Sequence, residues 1–197
     1  MAILHSKNCA FVHIPKAGGT TILSVLSETY TEGGAIKIAT NTQPHEDIFQ
    51  IKMHLGDNFD KYFKFGFVRN PWDRAVSIYT RRYKTVNPNG SFKDFLRKYN
   101  NTSDFDTHAS SRPKKYYMDW FFDPGGNQLV DFIGRFESFE RDLKFVCEKI
   151  GVKPRKIPHL SVSDHKHYTE YYDQEGIDII SRKFEKDIEF FGYKFKE

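Results

Sequence analysis

The chain has 197 residues, 39% of them hydrophobic, enough for one substantial core and short for two, so a single domain over residues 1–197 is expected. Thirty Lys+Arg against 26 Asp+Glu leave a charge of +4, which suits an anionic small molecule or glycan and falls well short of a basic nucleic-acid arm. Two isolated cysteines, Cys9 and Cys147, lack zinc-site spacing and argue against a disulfide framework; with no signal-peptide pattern and no long apolar window, a cytoplasmic chain without an integral membrane segment is expected.

In chain order, residues 9–14 (CAFVHI) read as a buried strand, followed by a Pro/Gly loop and a helix over 20–30 with Ile22, Leu23, Leu26 and Tyr30 near helical spacing. Polar residues 31–45 read as a loop. Residues 62–68 (YFKFGFV) form a second strand, after which Asn70, Pro71 and Asp73 supply a cap, a first-turn proline and a first-turn acid. A second polar loop covers 100–113. Residues 128–136 are a third strand, and the helix after it carries Phe139, Leu143, Val146 and Ile150 and stops at Gly151. A last helix over 174–191 buries Ile177, Ile180, Phe184, Ile188 and Phe191. Strands alternating with helices predict an α/β fold, P-loop-like and three-layered, with a central, mainly parallel sheet flanked by helices.

The first strand–loop–helix junction, HIPKAGGTT, has the composition of an anion cradle. Gly18 and Gly19 clear space at the backbone, and the first N–H groups of the helix carry partial positive charge. Lys16 adds a full charge, and Thr20 and Thr21 add hydroxyls. A Walker A loop, GxxxxGKS or GxxxxGKT, is the obvious competitor, but no GKS or GKT occurs in the chain, so ATP hydrolysis is disfavoured. A second anion site, separate from the first, is expected after the second strand. Arg69 stands at its carboxyl end and Ser77 follows eight residues on, about two helical turns along. Two such sites fit a nucleoside phosphorylated at both 3′ and 5′ positions better than ATP.

HIPKAGGTT, FGFVRNPWDRAVSIY, VDFIGRFESFERD and HKHYTEYYD with DIEFFGY occur in this order over nearly the whole chain, and together they resemble the carbohydrate-type sulfotransferases. These enzymes use 3′-phosphoadenosine 5′-phosphosulfate (PAPS). The resemblance implies a 5′-phosphosulfate loop of Lys16, Ala17, Gly18, Gly19, Thr20 and Thr21, a 3′-phosphate site of Arg69 and Ser77, a carbohydrate or glycolipid acceptor, and no metal. A small-molecule kinase and a nucleotide-binding module without catalysis are the alternatives.

Lys16 is suited to meet charge on the departing phosphate oxygen, and the acceptor hydroxyl needs a base. His54 is favoured because a histidine stands at a similar distance before the second motif in several of the enzymes this chain resembles. His13 is expected to be structural, His108 to lie on the acceptor side, and Asp57 and His45 to be weaker choices of base. Arg135 and Glu137 read first as internal salt-bridge partners and second as cofactor supports, and Lys166 and Tyr168 as residues that close over the nucleotide. Arg112, Lys114 and Lys115 form a basic patch, read first as solvated and second as a contact for an acidic glycan.

Overall fold

The computed structural model describes residues 2–28, 45–99, 114–153 and 166–196. Four strands form one sheet in the order β1-β2-β3-β4: β1 (Ala2–Leu4), β2 (Cys9–Val12), β3 (Phe63–Val68) and β4 (Phe132–Arg135). β2, β3 and β4 run parallel, with Val12 opposite Gly66 and Val68 opposite Arg135. β1 is an antiparallel edge strand that sequence pattern does not reveal: three residues are too few to show a period, and the turn back into β2 relies on Asn8 in the left-handed region (φ 44°).

The helices are α1 (Gly19–Glu28), α2 (Ile48–Leu55), α3 (Pro71–Ile78), α4 (Lys84–Val86), α5 (Phe92–Lys98), α6 (Met118–Phe121), α7 (Phe139–Lys149), α8 (Gln174–Lys183) and α9 (Glu185–Phe191). A π-turn, Tyr79–Tyr83, joins α3 to α4. Among the described residues no helix is long and apolar enough to cross a membrane.

The core forms where the sheet meets its helices. Phe11, Phe65 and Phe67 lie side by side on neighbouring strands, with ring centroids 5.2 Å apart for the first pair and 6.5 Å for the second. Ile22, Val25 and Leu26 of α1, Ile48 and Ile51 of α2, and Leu143, Val146 and Cys147 of α7 are buried with them. Removing so much apolar surface from water dominates the stability of the domain.

Two expected boundaries shift. The third strand begins at Phe132 rather than 128, because residues 122–128 fold into their own turn: Phe122 and Gln128 form an antiparallel bridge, and the Asp123 carboxylate accepts from the Asn127 backbone N–H and side-chain amide. The last helix is two helices. The backbone leaves helical geometry at Phe184 (φ −119°, ψ 25°), whose ring is buried 5.5 Å from that of Tyr99. Ile188 still bonds back to the Phe184 carbonyl, so the apolar spacing runs unbroken across the bend. The end of α7 is as expected: Gly151 is left-handed, and Gly151 and Val152 bond back to Glu148 and Cys147.

Candidate active site

β2 ends at Val12, and the chain turns through Pro15, Lys16 and Ala17 into α1. Lys16 (φ 68°) and Gly18 (φ 86°) both adopt left-handed conformations, a cost that glycine avoids and lysine bears. The turn is fixed from outside: the Pro15 carbonyl accepts from Arg74 Nε (2.9 Å) and the Lys16 carbonyl from Arg69 Nη1 (3.2 Å). The N-terminus of α1 is thereby presented next to the end of β3.

The glycines, expected from sequence to clear space for a ligand, are required by packing. A Cβ on Gly18 would collide with the ring of Phe139, and one on Gly19 with the imidazole of His13. The close partners at both positions are rings of the protein itself.

At the end of β3, Asn70 caps α3, its side-chain oxygen accepting from the N–H groups of Trp72 (3.1 Å) and Asp73 (3.4 Å). The Asn70 amide nitrogen donates to the Lys194 carbonyl (3.1 Å), and its backbone N–H donates to the Glu137 carboxylate. Arg69 is only 7% exposed. Its Nε donates to Asp73 (2.8 Å) and its guanidinium lies 4.1 Å from the centre of the Phe136 ring. Arg69 also bonds the Lys16 carbonyl, so the two segments expected to hold separate anions adjoin each other. Ser77 lies two turns along α3 and is buried.

Arg74, which sequence reasoning passed over, is the second link between α3 and the first loop. It is buried, donates to Pro15 and to the Tyr99 hydroxyl (2.9 Å), and lies over the ring of Tyr117. The available signal was its spacing from Ser77, three residues on and therefore on the same helix face.

Lys16 experiences this basic setting directly. Burial pushes its ammonium down to about 8, and the guanidinium groups of Arg81, Arg69, Arg82 and Arg74 push in the same direction. Positive charge at a helix N-terminus, reinforced by arginines, stabilises an anion with several oxygens.

Of the histidines, His54 lies on α2 with 42% of its side chain exposed and its Nε2 3.3 Å from the buried Glu46 carboxylate. His45 lies elsewhere. Its Nδ1 is 3.0 Å from the His13 carbonyl and its ring 4.3 Å from that of His13, which in turn lies against Gly19. A carbonyl only accepts, so His45 Nδ1 carries the hydrogen and Nε2 is the basic nitrogen of the neutral ring.

The remaining candidates are dispersed. Arg135 and Glu137 form no ion pair with each other among the described residues, correcting the salt-bridge reading. Arg135 donates to the Phe191 carbonyl and Glu137 accepts from Asn70 and from the Tyr193 hydroxyl (3.3 Å), its carboxyl pushed up chiefly by burial. Lys114 is buried against Asp47 (3.2 Å) and the Trp120 ring, which rules out a solvated face there. Lys115 stands over the Tyr116 ring, Asp57 is exposed, and Lys166 pairs with Glu170 (3.6 Å). Tyr168 is buried and its hydroxyl accepts from the Lys196 N–H. Arg112 and His108 lie outside the described residues. Among the described residues no group of three or more His, Cys, Asp or Glu side chains could hold a metal ion.

Comparison with known proteins adds four findings. A model of the Sulfotransferase family matches residues 1–194. Over 109 residues the chain is 37% identical to an uncharacterized protein of Archaeoglobus fulgidus, spanning 53% of this chain and 81% of the archaeal one. Mouse sulfotransferase SULT7A1, crystallised in complex with PAP, has the same fold, with a TM-score of 0.55 at 13% identity over 92% of this chain and 85% of that one. A sulfotransferase from Alicyclobacillus acidocaldarius aligns over 95% of this chain and 96% of its own, with 17% identity and a TM-score of 0.47.

Proposed function

The chain belongs to the sulfotransferase family, and from that premise we propose that it moves the sulfuryl group of PAPS to a hydroxyl of a carbohydrate or glycolipid, releasing adenosine 3′,5′-bisphosphate (PAP). The observation that carries the reading is the setting of Lys16: a depressed ammonium at the N-terminus of α1, surrounded by guanidinium groups and joined through its carbonyl to Arg69. A ligand with two separated phosphates matches that distribution of charge. The PAP complex of the structurally similar mouse enzyme supports the same choice.

On this reading the backbone N–H groups and side chains of Lys16, Ala17, Gly18, Gly19, Thr20 and Thr21 hold the 5′-phosphosulfate, and Arg69 and Ser77 hold the 3′-phosphate. PAPS supplies an activated sulfur–oxygen bond. Lys16 and the α1 N-terminus stabilise the electron pair left on the phosphate oxygen when that bond breaks. The acceptor oxygen forms the new bond to sulfur, and its proton passes to a histidine.

His54 is the base inferred from resemblance, and its partner Glu46 would stabilise the imidazolium. A specific observation favours His45 as a second reading: it touches His13, which lies against Gly19 of the cradle, and its hydrogen bond leaves Nε2 as the acceptor.

Calorimetry tests the nucleotide assignment. PAP is expected to bind at least about tenfold more tightly than AMP, and Arg69→Ala to remove most of that difference, as loss of a charge-assisted hydrogen bond would. Equal affinity for the two nucleotides would refute the two-phosphate reading. Single-turnover transfer by His54→Ala and His45→Ala, each with PAP affinity measured alongside, decides between the histidines.

A further inference from the structure

Lys114 and Asp47 form an ion pair inside the protein: the ammonium lies 3.2 Å from Asp47 Oδ2, and the two side chains are 4% and 1% exposed. The same ammonium stands 4.6 Å from the centre of the Trp120 ring. Capping α2 does not require this charge. Asp47 Oδ1 alone accepts from the N–H groups of Phe49 (2.9 Å) and Gln50 (3.0 Å), and the Gln50 side chain accepts from the Asp47 N–H (2.9 Å). Asparagine or serine at an N-cap serves as well as aspartate. Taking two charges out of water is costly, and a well-packed apolar pair of similar volume is often at least as stable. The pair therefore calls for a reason other than stability.

What the pair joins is the start of α2 and the distant segment that leads into α6, and the residues just before Asp47 are the ones that reach the site. His45 bonds through Nδ1 to the His13 carbonyl (3.0 Å), and its ring lies 4.3 Å from that of His13, which packs against Gly19 of the cradle. Glu46, 6% exposed, has its carboxylate 3.3 Å from His54 Nε2. Both histidines weighed as the base are thus attached to consecutive residues, 45 and 46, and residue 47 is the one that Lys114 holds. Buried opposite charges are costly to separate, so the pair leaves the segments that carry them little choice of arrangement, whereas neutral side chains tolerate several.

We propose that Lys114 is a positioning residue for the base: through Asp47 it fixes residues 45–47 beside the cradle, and with them the contacts that hold His45 and His54. The assignment rests on the sulfuryl-transfer reading above for the proton that the histidine takes, and on the contacts alone for the placing of the histidines. Lys114 touches no reacting atom, and its effect is geometric. In-line transfer depends on how the reacting groups are placed, and a displacement of about 1 Å can cost about 10²-fold in rate.

The test removes both charges at once in the full chain, because removing one leaves the other buried and unpaired and threatens the fold. In Asp47→Asn/Lys114→Met the asparagine keeps the cap and the methionine packs on Trp120, so melting temperature and PAP affinity are expected to stay near wild type. Single-turnover transfer should fall by about tenfold or more. In nitrogen NMR of the free protein, the wild-type His45 should carry its proton fixed on Nδ1, and the double variant should show a mixture of the two tautomers. Asp47→Asn alone, which keeps the cap and an oxygen facing Lys114, is the milder second variant, with both readouts expected between those of the other two proteins. Wild-type transfer by the double variant, an unchanged His45 tautomer, or a PAP affinity that falls as far as transfer would each overturn the assignment. The NMR readout separates the two readings: a tautomer freed by the double substitution, in a protein whose wild type transfers no sulfuryl group, upholds Lys114 as the residue that places the histidines and defeats the sulfuryl-transfer reading.

Discussion

Lys16 combines a left-handed backbone, partial burial and a like-charged neighbourhood, and each raises the cost of keeping it as a protonated lysine in the free protein. Its ammonium is held down to about 8, whereas an unfolded lysine titrates near 10.5. A bound phosphate reverses part of this, so binding must be coupled to proton uptake. PAP affinity is therefore expected to be level up to about pH 8 and then to weaken by up to about tenfold per pH unit until the lysine of the complex itself titrates. Calorimetry in buffers of different ionisation enthalpy should register the proton uptake, and Lys16→Met should abolish it. The effect on stability runs the other way: the native state releases this proton at lower pH than the unfolded chain, so the free protein gains stability from this group as pH rises through 8 towards the unfolded value.

The junction of β3 with α3 concentrates structural contacts and the proposed 3′-phosphate donors in a few residues. Asn70 caps the helix, donates to Lys194 and is itself held by Glu137, so replacing it removes a cap and opens a buried contact together. Asn70→Ala is expected to destabilise the protein by about 1–2 kcal/mol, read from the midpoint of urea denaturation at unchanged slope. This junction was legible in the sequence because Asn-Pro-x-Asp after an apolar run encodes a capped helix in local chemistry alone. β2, the α7 stop at Gly151 and the alternation of strands with helices were legible for the same reason. What escaped depends on contacts between distant segments. β1 is defined by its pairing with β2, and the bend at Phe184 by burial against Tyr99, while the apolar spacing continues across it. In the site, Lys16 and Arg69 stand out in their motifs, but the bond joining them, the Arg74 contacts and the approach of His45 to His13 link residues 25 to 59 positions apart, which periodicity cannot register.

At the scale of the whole molecule, buried polar contacts tie the C-terminal helices to the site. Asp187 of α9, fully buried, accepts from the Tyr117 N–H (2.7 Å), and the Tyr117 hydroxyl donates to the Arg69 carbonyl (2.6 Å). Burial pushes the Asp187 carboxyl up to about 7, the Tyr117 and Met118 N–H groups and Arg74 offsetting only part of it. A carboxyl raised in the fold holds its proton longer there than in the unfolded chain, so the stability it contributes at low pH is lost as pH climbs to 7. The melting temperature of the wild type is expected to fall between about pH 5 and pH 7.5 relative to that of Asp187→Asn, which keeps the acceptor for Tyr117 and cannot ionise. Parallel scans of the two proteins over that range give the comparison, and superimposable pH profiles would remove Asp187 as the source.

The Asn70–Lys194 bond also bears on when the site can exist during synthesis. Residues up to 99 contain the lysine loop, Arg69 and Ser77, yet the bonds that hold the start of α3 come from Glu137 and from the segment around 194. A ribosome makes a chain from its N-terminus, and a domain completes its packing only as its last contacts emerge. The junction that carries the proposed 3′-phosphate donors therefore matures late in translation, and the nascent chain carries an exposed cluster of arginines and a lysine until it does.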